Sequence, residues 1–243
     1  MAVRTAWYNN IPYAFDRATG EWLWRPSPVQ FTDDFIGNAF DATSKWEIVN
    51  SNLAADPGLV DDATNGVAEI TLSNDNDAEQ GVIYQNDSLQ FQLDNKLHFQ
   101  CRISPHVLPT LTAEMVMGVA SATSAVDFDT IATSAWFKLD GSGAIVLETD
   151  DGTTNNDDKA SGVTLVADEW AVLRIDATDL TSVKFYINGT RVGNTLTFDM
   201  SKATGATGKV QPYFGVQNGV GGADAAVGTL YIDNVAIWQD ERS

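Results

Sequence analysis

From Phe31 to the end of the chain, hydrophobic residues do not recur at helical spacing; they alternate with polar residues in short runs bounded by Gly, Asn, Asp and Ser. A period of two is the mark of a strand with one buried face. The clearest case runs from Lys96 to Ile103, where Leu97, Phe99, Cys101 and Ile103 fall on one face and His98, Gln100 and Arg102 on the other. Equivalent patterns predict strands over 67–72, 82–86, 114–120, 134–140, 144–149, 170–176, 182–188, 210–217 and 228–238. Asn188-Gly189 supplies the two positive-φ residues of a type I′ turn after Val183-Lys184-Phe185-Tyr186-Ile187, and a second run starts at Thr190. Asp140-Gly141-Ser142-Gly143 turns another hairpin. Many short strands without a three-turn helix predict an all-β sandwich or barrel. Trp170, Leu173, Phe185, Ile187, Tyr231 and Ile232 are expected in its core or at the inner edge, and Cys101 is expected as a small core residue.

Residues 1–30 read differently. They carry Trp7, Tyr8, Tyr13, Phe15, Trp22 and Trp24 and end in Arg25-Pro26-Ser27-Pro28, a stiff linker. Within them, 12–16 and 21–24 flank Arg17-Ala18-Thr19-Gly20 as a small hairpin. A segment this short cannot bury six aromatics by itself. They pack on the sandwich or on another chain, aromatics being the usual anchors of interface cores. The expected division is therefore an N-terminal aromatic arm with its Pro linker over 1–30 and a sandwich domain over 31–243.

Charge narrows the partners. With 33 acidic and 14 basic residues the net charge is -19, which turns the phosphate attraction behind nucleic-acid binding into repulsion. Nucleic acid and anionic membranes are excluded as expected partners. No apolar run approaches the ~18 residues that would span a bilayer, and the opening Met1-Ala2-Val3-Arg4-Thr5-Ala6 lacks the apolar core of a secretory signal. Synthesis in the cytoplasm is the expectation.

The stretch from Glu169 to Asp176, followed by Val183 to Gly193 with its Asn-Gly turn, resembles the concanavalin A-like and laminin-G-like jelly-roll superfamily. The closing run Gly228 to Trp238 is similar to the last strand of that superfamily, and Phe31-Thr32-Asp33-Asp34-Phe35 to its first. The resemblance implies a concanavalin A-like two-sheet antiparallel jelly-roll sandwich over about 31–243. Such sandwiches host lectins, hydrolases, lyases and structural proteins alike, so function has to come from a site.

Jelly-roll glycosidases need two carboxylates flanking the bond, which in the family resembled sit at Glu-x-Asp-x-x-Glu. The nearest match is Glu148-Thr149-Asp150-Asp151-Gly152-Thr153, with Thr153 where the second Glu would stand. Only His98 and His106 offer imidazoles for lyase chemistry. The expectation from these residues is a chain that is not an enzyme and has no catalytic residue. The loop 150–158 and the shorter 74–77 gather the hard oxygen donors that Ca²⁺ takes, with Asp150, Asp151, Asn155 and Asp157 as candidates, although neither follows EF-hand spacing. Solvated polar turns have the same composition, and the expectation is no obligatory cofactor.

The order of a Trp/Tyr-rich leader, a Pro linker and a Phe-Thr-Asp-Asp-Phe jelly roll resembles small structural proteins of tailed bacteriophages. That resemblance implies a virion protein, a capsid decoration or cement protein made in the host cytoplasm. Trp7, Tyr8, Tyr13, Phe15, Trp22 and Trp24 would be its partner-binding residues, engaging the major capsid protein, another virion protein or sister copies in a homo-oligomer such as a trimer. The alternative is a lectin-like carbohydrate-binding module, tail-associated and Ca²⁺-dependent, that holds a glycan at the sandwich edge.

Overall fold

The computed structural model describes residues 3–8, 11–16, 29–37, 40–42, 44–61, 63, 66–73, 78–110, 112–125, 127–218 and 226–240, the first two segments as backbone only. Its strands, in chain order, begin with β1 (Val3–Tyr8), β2 (Ile11–Asp16), β3 (Val29–Asp33), β4 (Glu47–Ser51), β5 (Gly58–Leu59) and β6 (Ala68–Thr71). They continue with β7 (Glu79–Tyr84), β8 (Phe91–Gln92), β9 (Leu97–Val107), β10 (Ala113–Ala120), β11 (Ser134–Asp140) and β12 (Ala144–Asp150). The last six are β13 (Asn155–Thr164), β14 (Ala171–Ala177), β15 (Lys184–Ile187), β16 (Thr190–Val192), β17 (Lys209–Asn218) and β18 (Thr229–Gln239).

These strands build two antiparallel sheets of eight strands each. The first runs β16, β15, β14, β9, β18, β6, β5, with β3 on the same flank of β18 as β6, one beyond the other. The second runs β13, β12, β11, β10, β17, β7, β4, with β8 on β17. Alternate residues of both sheets fill one core: Leu97, Phe99, Cys101 and Ile103 from β9 meet Met115, Met117 and Val119 from β10 and Phe137 and Leu139 from β11. Burial pushes the Cys101 thiol well above its ordinary value, so it stays a protonated packing group.

The expected all-β jelly-roll sandwich is the fold observed. The Asn188-Gly189 turn has φ values of 49° and 78°, both left-handed as a type I′ turn requires. Asn188 also ties the turn to β14: its N–H donates to the Val172 carbonyl and its side-chain oxygen accepts from the Val172 N–H, both at 2.8 Å. Leu173, Phe185, Ile187 and Ile232 are buried in the core as expected. Trp170 and Tyr231 are not: they lie half-buried on the outer face of the first sheet, under the Arg102 guanidinium at 4.3 Å and against the His106 ring at 4.5 Å.

One strand of the sandwich escapes the alternation rule, and the N-terminal hairpin is displaced from its expected position. β13 (Asn-Asn-Asp-Asp-Lys-Ala-Ser-Gly-Val-Thr) is an edge strand held by β12 through backbone bonds and two register irregularities, so Asp157 and Asp158 stand on a strand and not in the expected loop. Its side chains are largely exposed, and an edge strand with two wet faces has no hydrophobic period to read. At the N-terminus the hairpin observed pairs β1 with β2, earlier in the chain than the expected pairing of 12–16 with 21–24; residues 17–28 lie outside the described residues. The sandwich itself begins at Val29, where β3 joins β18.

Phe185 tests the packing. It is fully buried and meets Phe137 at 5.2 Å and Phe198 at 4.9 Å, both edge-on. Phe185→Ala should lower the unfolding free energy by roughly 3–5 kcal/mol, measured by chemical denaturation; a loss below ~1 kcal/mol would mean the two sheets do not meet there.

Candidate functional site

The second sheet turns one face to the sandwich core. Its other face is not the polar surface that water would select, because Val82, Tyr84, Val116, Ala120, Trp136 and Tyr213 are all buried on it, together with Phe128 and Ile131. Those last two come from the connection between β10 and β11, which folds back over the sheet. The Ser121 N–H closes its base by donating to the Thr133 carbonyl at 2.8 Å. Its middle is a 3-10 turn, Phe128–Thr130, capped by the Asp127 carboxylate, which accepts from the Asp129 N–H at 3.0 Å. Phe128 sits over Gly215: a Cβ added there would lie 2.4 Å from the tip of its ring, so any larger residue would unseat it. The ring meets Tyr213 edge-on at 5.8 Å, and Tyr213 lies 6.2 Å from Trp136 and 6.4 Å from Tyr84.

Beside these rings a row of polar side chains crosses the sheet from strand to strand. Gln80 on β7 donates to Gln217 on β17 at 3.1 Å, and Gln217 donates to Glu114 on β10. Glu114 stands 3.6 Å from the Nζ of Lys138 on β11, which reaches Glu148 on β12 at 2.8 Å and Asp158 on β13 at 3.1 Å. Asp129, from the covering turn, adds a fourth carboxylate at 3.6 Å. The indole Nε1 of Trp136 donates to the other Glu148 oxygen at 2.7 Å. Strands β7, β17, β10, β11, β12 and β13, neighbours in sheet order, thus contribute one member each.

Lys138 is 3% exposed, and an ammonium so buried is tolerable only when paired and hydrogen-bonded. Burial works against its charge, but the hydrogen bond and charge of Glu148, with Asp129 and Glu114, hold the ammonium above its ordinary value. One cation cannot neutralise four carboxylates. Burial pushes the Glu148 carboxyl up to about 7 despite its hydrogen bonds from Lys138 and Trp136, and burial also raises Glu114 and Asp129. Asp158 moves the other way: burial opposes its charge, but hydrogen bonds involving Glu148 and Lys138 hold it below the usual carboxylate range. Two carboxyls on one ammonium are therefore driven apart, one toward the acid form and one toward the ion, which is how an acid and a base are told from each other in a site.

Of the residues singled out from sequence, Glu148 and Asp150 share this face of β12. The oxygens of the Ca²⁺ candidates serve their own turn. Asp150 accepts from the Gly152 N–H at 2.7 Å; Asp151 is buried, with one oxygen on the Thr153 and Thr154 N–H groups and the other on the Lys202 N–H. Asn155 donates to Asp157 at 3.1 Å. Among the described residues no three His, Cys, Asp or Glu side chains converge to hold a metal ion. Trp7, Tyr8, Tyr13 and Phe15 are placed on β1 and β2 by backbone alone, while Trp22, Trp24 and the acidic run 74–77 lie outside the described residues. Sequence reasoning missed Lys138, Glu114, Asp129, Asp158, Gln80 and Gln217. Their signal was present as polar exceptions in otherwise apolar strands, such as the Lys in Ala-Trp-Phe-Lys-Leu.

Between pH 4.5, the ordinary value for Glu, and about 7, folded Glu148 holds a proton that the unfolded chain has released. Its contribution to stability is complete below that window and is lost as the pH rises through it. Glu148→Gln should make the fall of unfolding free energy across the window shallower by about 1.4 kcal/mol per pH unit. Denaturation midpoints of both proteins through the window measure this, and parallel curves would show that Glu148 does not titrate there.

Residues 64–233 match the family described as SO2946-like, C-terminal domain. No curated protein sequence matches the chain. Among solved structures the fold is similar to the protein of unknown function SO2946 from Shewanella oneidensis MR-1, with TM-score 0.53, 14% identity and 88% of each chain covered. It is similar to a beta-1,3-glucanase from Mycobacterium marinum, with TM-score 0.55, 16% identity, and 88% of this chain and 100% of that one covered. A Bacteroides ovatus mixed linkage glucan GH16 protein in complex with product gives TM-score 0.56 and 14% identity over 85% and 99% of the two chains. At these identities the likeness is one of fold, the jelly roll of carbohydrate-directed proteins. It overturns the expectation that the chain is not an enzyme, because the same fold carries a glucanase and a product-bound GH16 protein. Thr153, in the turn after β12, leaves the Glu-x-Asp-x-x-Glu spacing incomplete, while the fold brings other carboxylates to Lys138 from β10, β13 and the covering turn.

Proposed function

We propose that this chain, which belongs to the SO2946-like, C-terminal domain family, acts on a neutral polysaccharide by acid–base chemistry at the outer face of its second sheet. The observation that carries this reading is the split pair of carboxyls on Lys138. Hydrolysis of a glycosidic bond needs a proton donor and a carboxylate on either side of it. Glu148, protonated up to about pH 7, is the donor to the leaving oxygen. Asp158, held ionised and with 57% of its side chain exposed, takes the proton of the water whose oxygen bonds to the anomeric carbon as the glycosidic C–O bond breaks and the leaving oxygen takes the Glu148 proton. Trp136 orients the Glu148 carboxyl through its indole N–H, and Lys138 donates a hydrogen bond to Glu148 while holding the Asp158 carboxylate by charge. The net charge of -19 disfavours a polyanionic substrate. Because Phe128 covers the face, turnover requires the connection over Gly215 to swing away.

Reducing-sugar release from β-1,3-glucan and mixed-linkage glucan is the test. Release by the native protein should fall at least ~100-fold in Glu148→Gln, the scale of general acid catalysis, and rise in Phe128→Ala. No release from either glucan by the native protein and by Phe128→Ala overturns the proposal.

A second reading concerns where the chain works, and one observation favours it: among the described residues β1 and β2 pair only with each other, in a sheet joined to neither sheet of the sandwich. On this reading the hairpin is an arm of a tailed-bacteriophage virion protein, a capsid decoration protein. Trp7, Tyr8, Tyr13 and Phe15 of the hairpin, with Trp22 and Trp24 of the same leader, would anchor it to the major capsid protein or to sister copies in a trimer. Deleting residues 1–28 should then leave the melting temperature within a few degrees of the native value and abolish self-association in sedimentation and binding to particles. A truncated protein that unfolds, or that associates as before, removes the arm from this role.

A further inference from the structure

A second cavity shares no residue with the row on Lys138. It opens where β3, on the first sheet, and the start of β4, on the second, meet the turn that follows β7, and it measures about 580 Å³. That volume falls inside the range of roughly 300–1,000 Å³ typical of small-molecule sites. Its walls are amides and hydroxyls: Gln30, Gln85, Asn86 and Gln90 with Ser44 and Ser88. Phe31 lies half-buried in the wall and packs edge-on against Trp46 at 5.2 Å. Among the described residues the charged side chains lining it are Lys45 and Glu47, one of each sign, and Lys45 is engaged 3.4 Å from Asp33.

Two features set this cavity apart from an ordinary surface dent. Gln85 is 7% exposed, yet its side-chain oxygen Oε1 is buried without a hydrogen-bond partner, a condition that native structures rarely leave uncompensated. The turn carrying the wall holds three non-glycine residues in the left-handed region, Asn86 at φ 49°, Asp87 at 52° and Leu89 at 44°. Leu has no local hydrogen bond with which to offset that conformation, and strain of this kind gathers at binding sites. The turn is nevertheless held rigidly in place: Gln211 donates to Asp87 at 2.7 Å, and the Asp87 N–H donates back to Gln211 at 2.9 Å.

We infer that this cleft is a binding site for a neutral, polyhydroxylated ligand, a segment of an uncharged glycan. Amide side chains both donate and accept, as sugar hydroxyls do, and a small shift of the wall on binding would open the buried Gln85 oxygen to the donor it lacks. The half-buried Phe31 ring offers an apolar edge to the C–H face of a sugar. One lining charge of each sign, with Lys45 engaged by Asp33, gives no net hold on an anion or a cation. The inference stands apart from the acid–base reading, since it would hold a chain whether or not the outer face cleaves it.

The experiment uses the full chain carrying Glu148→Gln, so that a probe is not consumed. Cellohexaose and laminarihexaose are titrated while the side-chain amide signals of Gln85, Asn86 and Gln90 are followed by nitrogen-15 NMR, with hexagalacturonate as the charged control. Saturable shifts of those amides with a neutral probe are expected, and the Kd should rise at least tenfold in Gln85→Met. Because Gln85→Met could disturb the fold, Gln90→Ala on the exposed rim is measured beside it, with an unchanged melting temperature and a Kd raised severalfold. Shifts absent from these amides for both neutral probes, or equal binding of hexagalacturonate, overturn the site. Hydrolysis by the native protein is scored separately, so failure here and failure of the acid–base reading remain distinguishable.

Discussion

An ammonium group buried in a β-sheet has to find its counter-charges among side chains that the sheet itself can deliver, and Lys138 imposes that demand on the second sheet. Its partners come from β10, β12, β13 and the turn that caps the outer face. Removing the Lys138 ammonium would leave the buried Glu114 and Glu148 carboxyls without a counter-charge, which is far more costly than losing an exposed ion pair. The requirement therefore couples the register of four adjacent strands to the position of the covering connection, through one atom. It also creates the chemistry. A surplus of carboxylate around one cation in a desolvated site leaves a carboxyl near neutrality, where it can exchange a proton.

The covering connection follows from the other half of the face. Tyr84, Trp136 and Tyr213 project from adjoining parts of the sheet, and left in water they would form an apolar patch of the kind that marks a contact surface. Here the chain covers the patch itself, with Phe128 seated where Gly215 has no side chain. The second sheet is thus buried on both faces through its centre. That is why β10, β11 and β17 read as nearly unbroken apolar runs, whereas β14 alternates cleanly between buried and half-buried positions.

The two sites use polar groups in opposite ways. Around Lys138 the side chains are ionic and mutually paired, with pKa values displaced by burial, suited to moving a proton. In the cleft by β3 and β4 they are neutral amides and hydroxyls on a strained turn, one of them lacking a partner, suited to holding hydroxyls. On the two proposals above, the jelly roll would hold a chain in one place and act on it in another.

Alternation alone was enough to specify an all-β fold, since burying one face of a strand is a local requirement written every second residue, and the resemblance carried by Glu169–Gly193 narrowed it to a sandwich; Leu97, Phe99, Cys101 and Ile103 announced both β9 and its inward face. The Asn188-Gly189 turn was equally legible, because left-handed backbone is a property of the residues that tolerate it. Glu148 was visible too, but only as half of a pair. What the tertiary structure decided was what depends on strand pairing and register: β11 lies between β10 and β12, so Lys138 meets Glu114 on one side and Glu148, with Asp158 beyond it on β13, on the other. The same holds for Phe128 over Gly215, and for Gln85, whose missing partner exists only because the turn after β7 closes against β3 and β4. Strand order is set by long-range pairing and core shape, and neither leaves a periodic trace in the sequence.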